Sequence, residues 1–194
     1  EAIAKDLGSV SVRLLRGADT VVEAQIETAR TQVAADLEVS RAGDDELAQH
    51  LSEMRLIKDE YEIGELRRAV DITRAGFDSV VASLPRALAH TRGERVIETA
   101  FALAARADGN GVGYDTIAAA GDHACTLHWI KNTGTVAPGD LVLVDAGAEA
   151  DSLYTADVTR TLPVSGTFTP VQARIYDAVL EAADAAFAVA AEHV

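Results

Sequence analysis

The sequence predicts an α+β fold, and three observations carry that expectation. Two long stretches with helical apolar spacing precede a run of short strand-like segments, and one more helical stretch follows. That order differs from the strict strand–helix alternation of a doubly wound sheet. The strand-like segments are separated by glycine, proline and asparagine, the punctuation of mostly antiparallel connections. With 48% apolar and 25% charged residues among 194, the composition is that of a folded globular chain.

Taken in order, Ser9 to Leu15 reads as one strand closed by Gly17. Thr20 and Glu23 have capping-box spacing ahead of Val22, Ile26, Ala29 and Val33. Asp44 and Asp45 are expected to open a short helix carrying Leu47, Leu51 and Met54. So few large apolar side chains are not expected to fold alone, which makes this region the end of a larger domain. A longer helix is expected from Asp59, with Asp59 and Glu62 as a capping pair. Its stripe is Ile63, Leu66, Val70, Thr73, Phe77, Val80 and Leu84, and Pro85 is expected to stop it. Thr91 and Glu94 form a second T-x-x-E box before Val96, Ile97, Ala100, Phe101 and Ala104, with Gly109 as the stop. Four strands are expected: Tyr114–Ala120, Thr126–Ile130, Leu141–Ala146 and Tyr154–Leu162. Thr169, Pro170 and Gln172 then start a last helix, whose face carries Val171, Ile175, Val179 and Ala182.

Composition excludes several function classes. A net charge of −14 speaks against sequence-independent binding of nucleic acid, which needs a basic face. No apolar run approaches the roughly 18 residues of a membrane span, and no basic-then-apolar leader is present. Cys125 is the only cysteine, so no intrachain disulfide and no multi-cysteine zinc site is expected, and a reducing cytoplasm is the default location. The chain begins without methionine and stops inside a helical pattern, so a fragment of a longer protein is expected.

Asp145 ends the apolar run Leu141–Val144, and Asp157 follows in a second strand-like run. A hairpin tipped near Asp151 would set the two directly opposite, with Cβ atoms about 4.5–5.5 Å apart. Like charges that close need a proton or a cation between them, and a hard divalent ion ligated by oxygen removes the conflict. The plainer alternatives are that Asp145 is a turn residue before Ala146-Gly147 and that Asp157 faces solvent.

Longer motifs bear on that choice. "LVLVDAG", "YTADVTRTLPVSG" and "FTPVQARIYDAVLEA" together resemble the metal-binding core of the pita-bread metallopeptidase family. "MRLIKDEYEIGELRRAVDITRAGF", from Met54 to Phe77, resembles the start of that family's catalytic domain, and "TLHWIKNTGTVAPGDLVLVDAG" its middle. The resemblance runs from about Ser52 to Ala182. It implies that residues 1–53 are the tail of a creatinase-like N-terminal domain and that 54–194 are the first half of a pita-bread catalytic domain. It also implies hydrolysis of the N-terminal residue from peptides with proline second, a bond whose proline nitrogen lacks an amide hydrogen. Prolidase, restricted to dipeptides, and a non-catalytic pita-bread binding protein are the alternatives.

In this family two aspartates, a histidine and two glutamates bind two divalent ions, usually manganese. Asp145 matches the first aspartate, in D-A-G, and Asp157 the second, in D-x-T-R-T. The resemblance gives His128, in "CTLHWIKN", the substrate-side histidine role; taken alone, it reads as a core residue. The remaining ligands belong to a later stretch, for which Glu181, Glu192 and His193 are poor substitutes. The fragment is therefore expected to be inactive by itself, and the full-length protein to form a homo-oligomer.

Other candidates are weaker. His123, Cys125 and His128 do not make a structural zinc site, which wants four ligands, and on a strand Cys125 and His128 would point to opposite faces. "DGNGVG", Asp108 to Gly113, lacks the acidic positions of a calcium loop and the lysine of a phosphate loop, so it reads as a turn. Thr159 and Arg160 are expected to support the aspartates rather than react, with Arg160 facing away from Asp157. Trp129 suits either a substrate pocket or simple packing.

Overall fold

The computed structural model describes residues 12–33 and 36–190. The chain divides into two compact units, Glu1–Glu60 and Tyr61–Val194.

The first unit holds helices α1 (Thr20–Gln32) and α2 (Leu37–Met54). The cap of α1 is Asp19, not Thr20: its carboxylate accepts from the Val21 and Val22 amides at 2.8 and 3.0 Å. Glu23 instead accepts from the Gly17 amide and from Arg16. Asp36 caps α2, so Asp44 opens nothing. Asp44 lies mid-helix, 1% exposed, and takes both terminal nitrogens of the buried Arg30 at 2.7 and 2.8 Å. Ser9–Ser11 of the expected strand lie outside the described residues. Val12–Leu15 has no regular structure; the Leu14 amide donates to Asp44 and the Val12 carbonyl accepts from Arg30.

The second unit begins with α3 (Glu60–Leu88), which starts beside Asp59 as expected but runs through Pro85. Proline removes the one amide donor at that position, and the helix continues to Leu88 without it. Helix α4 (Gly93–Asp108) packs Phe101 onto α3. A Cβ on Gly76 would stand 2.5 Å from the Phe101 ring, so the glycine is what permits this approach. Phe77 meets Phe101 edge to face at 5.8 Å.

Strands β2 (Ile117–Ala120), β3 (Leu141–Ala146) and β5 (Val158–Pro163) form an antiparallel sheet in the order β2-β3-β5. A second pair joins β1 (Gly111–Val112) to β4 (Ala148–Glu149). Gly147 separates β3 from β4, where the chain changes partner. Burial along β3 alternates: Val142, Val144 and Ala146 enter the core with residues of α3 and α4, whereas Leu143 and Asp145 lie half-buried on the other face.

The strand expected at Thr126–Ile130 does not form; a 3-10 turn, Gly121–Cys125, leads into irregular chain. The edge of β2 is already occupied. Asn132, fully buried at φ 47°, accepts from the Ala118 amide and donates to the Thr116 carbonyl, and Glu94 accepts from the Ala120 amide. Side chains there do what a fourth strand would have done.

Helix α5 (Pro170–Val189) has the expected capping box: Thr169 accepts from the Gln172 amide, and the Gln172 side chain accepts from the Thr169 amide. Its apolar face, with Val171, Ile175 and Val179, is exposed. No helix among the described residues is long and apolar enough to cross a membrane.

Candidate metal centre

Asp145 and Asp157 come together, but not as direct partners. The β3–β5 register pairs Asp145 with Thr159, and it continues past the strands through Glu149 and Thr155. The Ala150 amide donates to the Tyr154 carbonyl, which centres the tip on Ser152 instead of Asp151. Moving the tip by one residue moves the pairing by two. Asp157 therefore lies diagonal to Asp145 on the same face, because a shift of two preserves facing. Diagonal neighbours stand roughly 7–8 Å apart.

Tyr114 fills that span. Its hydroxyl lies 2.7 Å from Asp145 Oδ1 and 2.9 Å from Asp157 Oδ1. The tyrosine sits between β1 and β2, beside the point where Gly147 interrupts β3 and β4, and the Gly113 amide donates to the Gly147 carbonyl. A Cβ on Gly147 would come within 1.6 Å of the Ala156 carbonyl oxygen and 3.0 Å of the Tyr114 ring. The glycine of the D-A-G motif thus makes room for the phenol that joins the two carboxylates.

Burial raises the Tyr114 pKa, and hydrogen bonding to Asp145 and then Asp157 raises it further, so the phenol keeps its proton. One proton serves one acceptor at a time. The other oxygen-to-oxygen approach lacks a proton, and no cationic side chain among the described residues forms an ion pair with either carboxylate. An oxygen-rich, doubly anionic face of this kind suits a hard divalent cation. Asp145 and Asp157 are the two residues that would hold it. Among the described residues no group of three or more His, Cys, Asp or Glu could hold a metal ion. Glu181 lies exposed on α5, and Glu192 and His193 fall outside the described residues.

His128 occupies the irregular segment after the 3-10 turn and is exposed. Among the described residues its side chain has no hydrogen bond to either aspartate, and only its carbonyl is engaged, by the Ile130 amide. Thr159 faces Asp145 across the register; Arg160 pairs with Val144 on the opposite face and donates to the Thr159 carbonyl. Of the turn expected at Asp108 to Gly113, Asp108 ends α4, Gly109 and Asn110 make the connection, and Gly111–Val112 form β1.

Glu94 is not a capping residue. It is fully buried and accepts from the Ala120 amide at 2.9 Å, His123 Nδ1 at 2.8 Å, Trp129 Nε1 at 2.9 Å and the Gly134 amide at 2.6 Å. Burial pushes its pKa up, but the donors from Ala120, Trp129, His123 and Gly134 together hold it below the usual carboxylate value. The His123 and Trp129 rings stack at 3.9 Å. Sequence reasoning missed both Tyr114 and Glu94.

The profile of metallopeptidase family M24 matches residues 64–194. The chain belongs to metallopeptidase family M24. Its similarity to Xaa-Pro aminopeptidase 2 of Streptomyces coelicolor is 52% identity over 188 residues, 95% of this chain and 37% of that protein. To the Xaa-Pro aminopeptidase of Escherichia coli it is 36% over 184 residues, 87% of this chain and 40% of that one. Zinc-substituted E. coli aminopeptidase P in complex with product superposes with a TM-score of 0.76 at 29% identity, over 96% of this chain and 43% of that one. The chain therefore spans less than half the length of these relatives. As an M24 member it has the antiparallel α+β architecture of the aminopeptidase P pita-bread fold, with Asp145 at the end of β3 and Asp157 just before β5.

Proposed function

We propose that this chain is the first half of the catalytic domain of an Xaa-Pro aminopeptidase, residues 54–194, preceded in 1–53 by the tail of a creatinase-like domain. The parent protein, on this reading, removes the N-terminal residue from peptides with proline in second position. The observation that carries it is the Asp145–Tyr114–Asp157 face in a chain 52% identical to a Streptomyces Xaa-Pro aminopeptidase. Asp145 and Asp157 supply two ligands to a pair of divalent ions, manganese by family preference, and a histidine and two glutamates come from the rest of the parent chain. The bound ions supply Lewis-acid activation of water and of the scissile carbonyl. Tyr114, locked as a neutral phenol, stands between the carboxylates and donates its one proton to either of them in turn. His128, the substrate-side histidine, stands free to donate to the substrate carbonyl as its oxygen gains charge. The parent protein is a homo-oligomer of the cytoplasm that engages neither nucleic acid nor membrane.

The test compares the parent protein with the 194-residue chain on Xaa-Pro-Yaa tripeptides and Xaa-Pro dipeptides, with and without manganese. The parent should release the first residue from tripeptides, lose this on chelation, and lose it in Asp145→Ala and Asp157→Ala. The 194-residue chain should be inactive. Activity that survives either substitution, or is confined to dipeptides, would refute the assignment.

A further inference from the structure

Resting on the reading of His128 above, we infer that Glu94 is the positioning residue of the loop that presents this histidine. His128 is exposed, and among the described residues its side chain has no hydrogen bond to hold it. Its place must come from the backbone on either side. Upstream, His123 is bound through Nδ1 to Glu94, and its carbonyl accepts from the Thr126 amide at 2.9 Å. Immediately downstream, Trp129 donates its indole N–H to the other Glu94 oxygen and stacks on His123. The loop is thus clamped on both sides of His128 by one carboxylate. Glu94 also accepts from the Ala120 and Gly134 amides, so it fastens the loop to the end of β2.

Four donors converge on two oxygens, an arrangement that only a carboxylate satisfies. A glutamine would place its amide nitrogen against the Ala120 N–H turned one way, and against the Trp129 and Gly134 N–H groups turned the other. The loop sequence is shaped to this group. A Cβ on Gly134 would stand 2.7 Å from His123 Nδ1 and 2.8 Å from the Glu94 carboxyl carbon, so any larger residue would displace the anchor. Glu94 sits on α4 and is not among the metal-site residues, so releasing it should loosen His128 while leaving Asp145 and Asp157 in place.

Trp129 is the only tryptophan, and its emission reports the anchor directly. In the 194-residue chain, Glu94→Gln and Gly134→Ala should each red-shift that emission and raise its quenching by acrylamide, with far-UV circular dichroism unchanged. In the parent protein both should lower kcat on Xaa-Pro-Yaa peptides roughly 10- to 100-fold, as displacement of a transition-state contact does, while KM and bound manganese stay at wild-type levels. Where Glu94→Gln does not fold, His123→Ala, at a half-buried position, is read in the same way. Unchanged emission in the folded variants would overturn the inference. So would unchanged kcat, or a loss of activity that merely follows a loss of bound metal. A wild-type parent inactive on every Xaa-Pro peptide would defeat the functional reading instead, and the fluorescence would still decide whether Glu94 holds the loop.

Discussion

Asp157 lies diagonal to Asp145 across the β3–β5 hairpin, and the Tyr114 hydroxyl closes the distance with contacts of 2.7 and 2.9 Å. The diagonal leaves room between them for a phenol and a cation, and it keeps both carboxylates on one face.

Removing the phenol oxygen should therefore loosen the pair without unfolding the sheet. Tyr114→Phe in the parent protein should weaken manganese binding about 10- to 100-fold, the usual cost of losing a partner of a metal-holding residue. The phenylalanine ring still fills the space beside Gly147, so the melting temperature should move little. Calorimetric titration of the chelator-stripped protein measures the affinity. An unchanged affinity would remove Tyr114 from the centre.

Gly147→Ala should act on the scaffold. Its methyl group would meet the Ala156 carbonyl at 1.6 Å, and the nearest atoms are backbone of the segment leading into β5, which cannot turn aside as a side chain does. The expected destabilisation is about 3 kcal/mol or more, the upper range for overpacking. Urea unfolding measures it. Because the Tyr114 ring lies 3.0 Å from the same point, any folded fraction should bind manganese poorly as well.

The sequence made the α+β order, the β3 strand, the α5 capping box and the nearness of Asp145 to Asp157 legible, because each rests on local spacing or on a contiguous motif. What it misplaced was set by distant partners. The hairpin register depends on where the tip closes, and a one-residue error there turned a diagonal into an opposition. Thr126–Ile130 has strand-like residues, yet the edge it would join is taken by Asn132 and Glu94. Glu94 matched a capping box three residues after Thr91, and that local match hid a carboxylate whose donors lie 26 to 40 positions later. Tyr114 gave no signal, since its only distinction is to reach across Gly147 to residues 31 and 43 positions away.

The first unit should show an acid transition of its own. Hydrogen bonding from Arg30 brings the Asp44 pKa down from 3.8 to about 2, against the opposing effect of burial. A carboxylate whose folded pKa is depressed contributes fully above the unfolded value and loses that contribution as pH falls through the folded one. The window is thus from about pH 4 to about pH 2, and the contribution lost is about 2 kcal/mol. Hydrogen exchange of the α1 and α2 amides across that range should reveal it. Asp44→Asn should flatten the acid dependence and accelerate exchange already at neutral pH, since it removes the carboxylate that holds both terminal nitrogens of Arg30, 2% exposed, and leaves that guanidinium to Glu27 and the Val12 carbonyl.

Helix α5 carries the last prediction. Ile175 is 59% and Phe187 82% exposed, and Val171 and Val179 share the exposed face. A contiguous apolar stripe of this kind marks a surface that is covered in the working protein. If 54–194 is half of a catalytic domain, the remainder of the parent chain is its cover. The 194-residue chain should then bind the dye ANS and self-associate, and Ile175→Glu should reduce both. In the parent protein the wild-type stripe should bind no dye, whereas Ile175→Glu should lower the melting temperature by burying a charge. Equal dye binding by parent and fragment would mean that the stripe stays open, and the division of the catalytic domain at this helix would have to be abandoned.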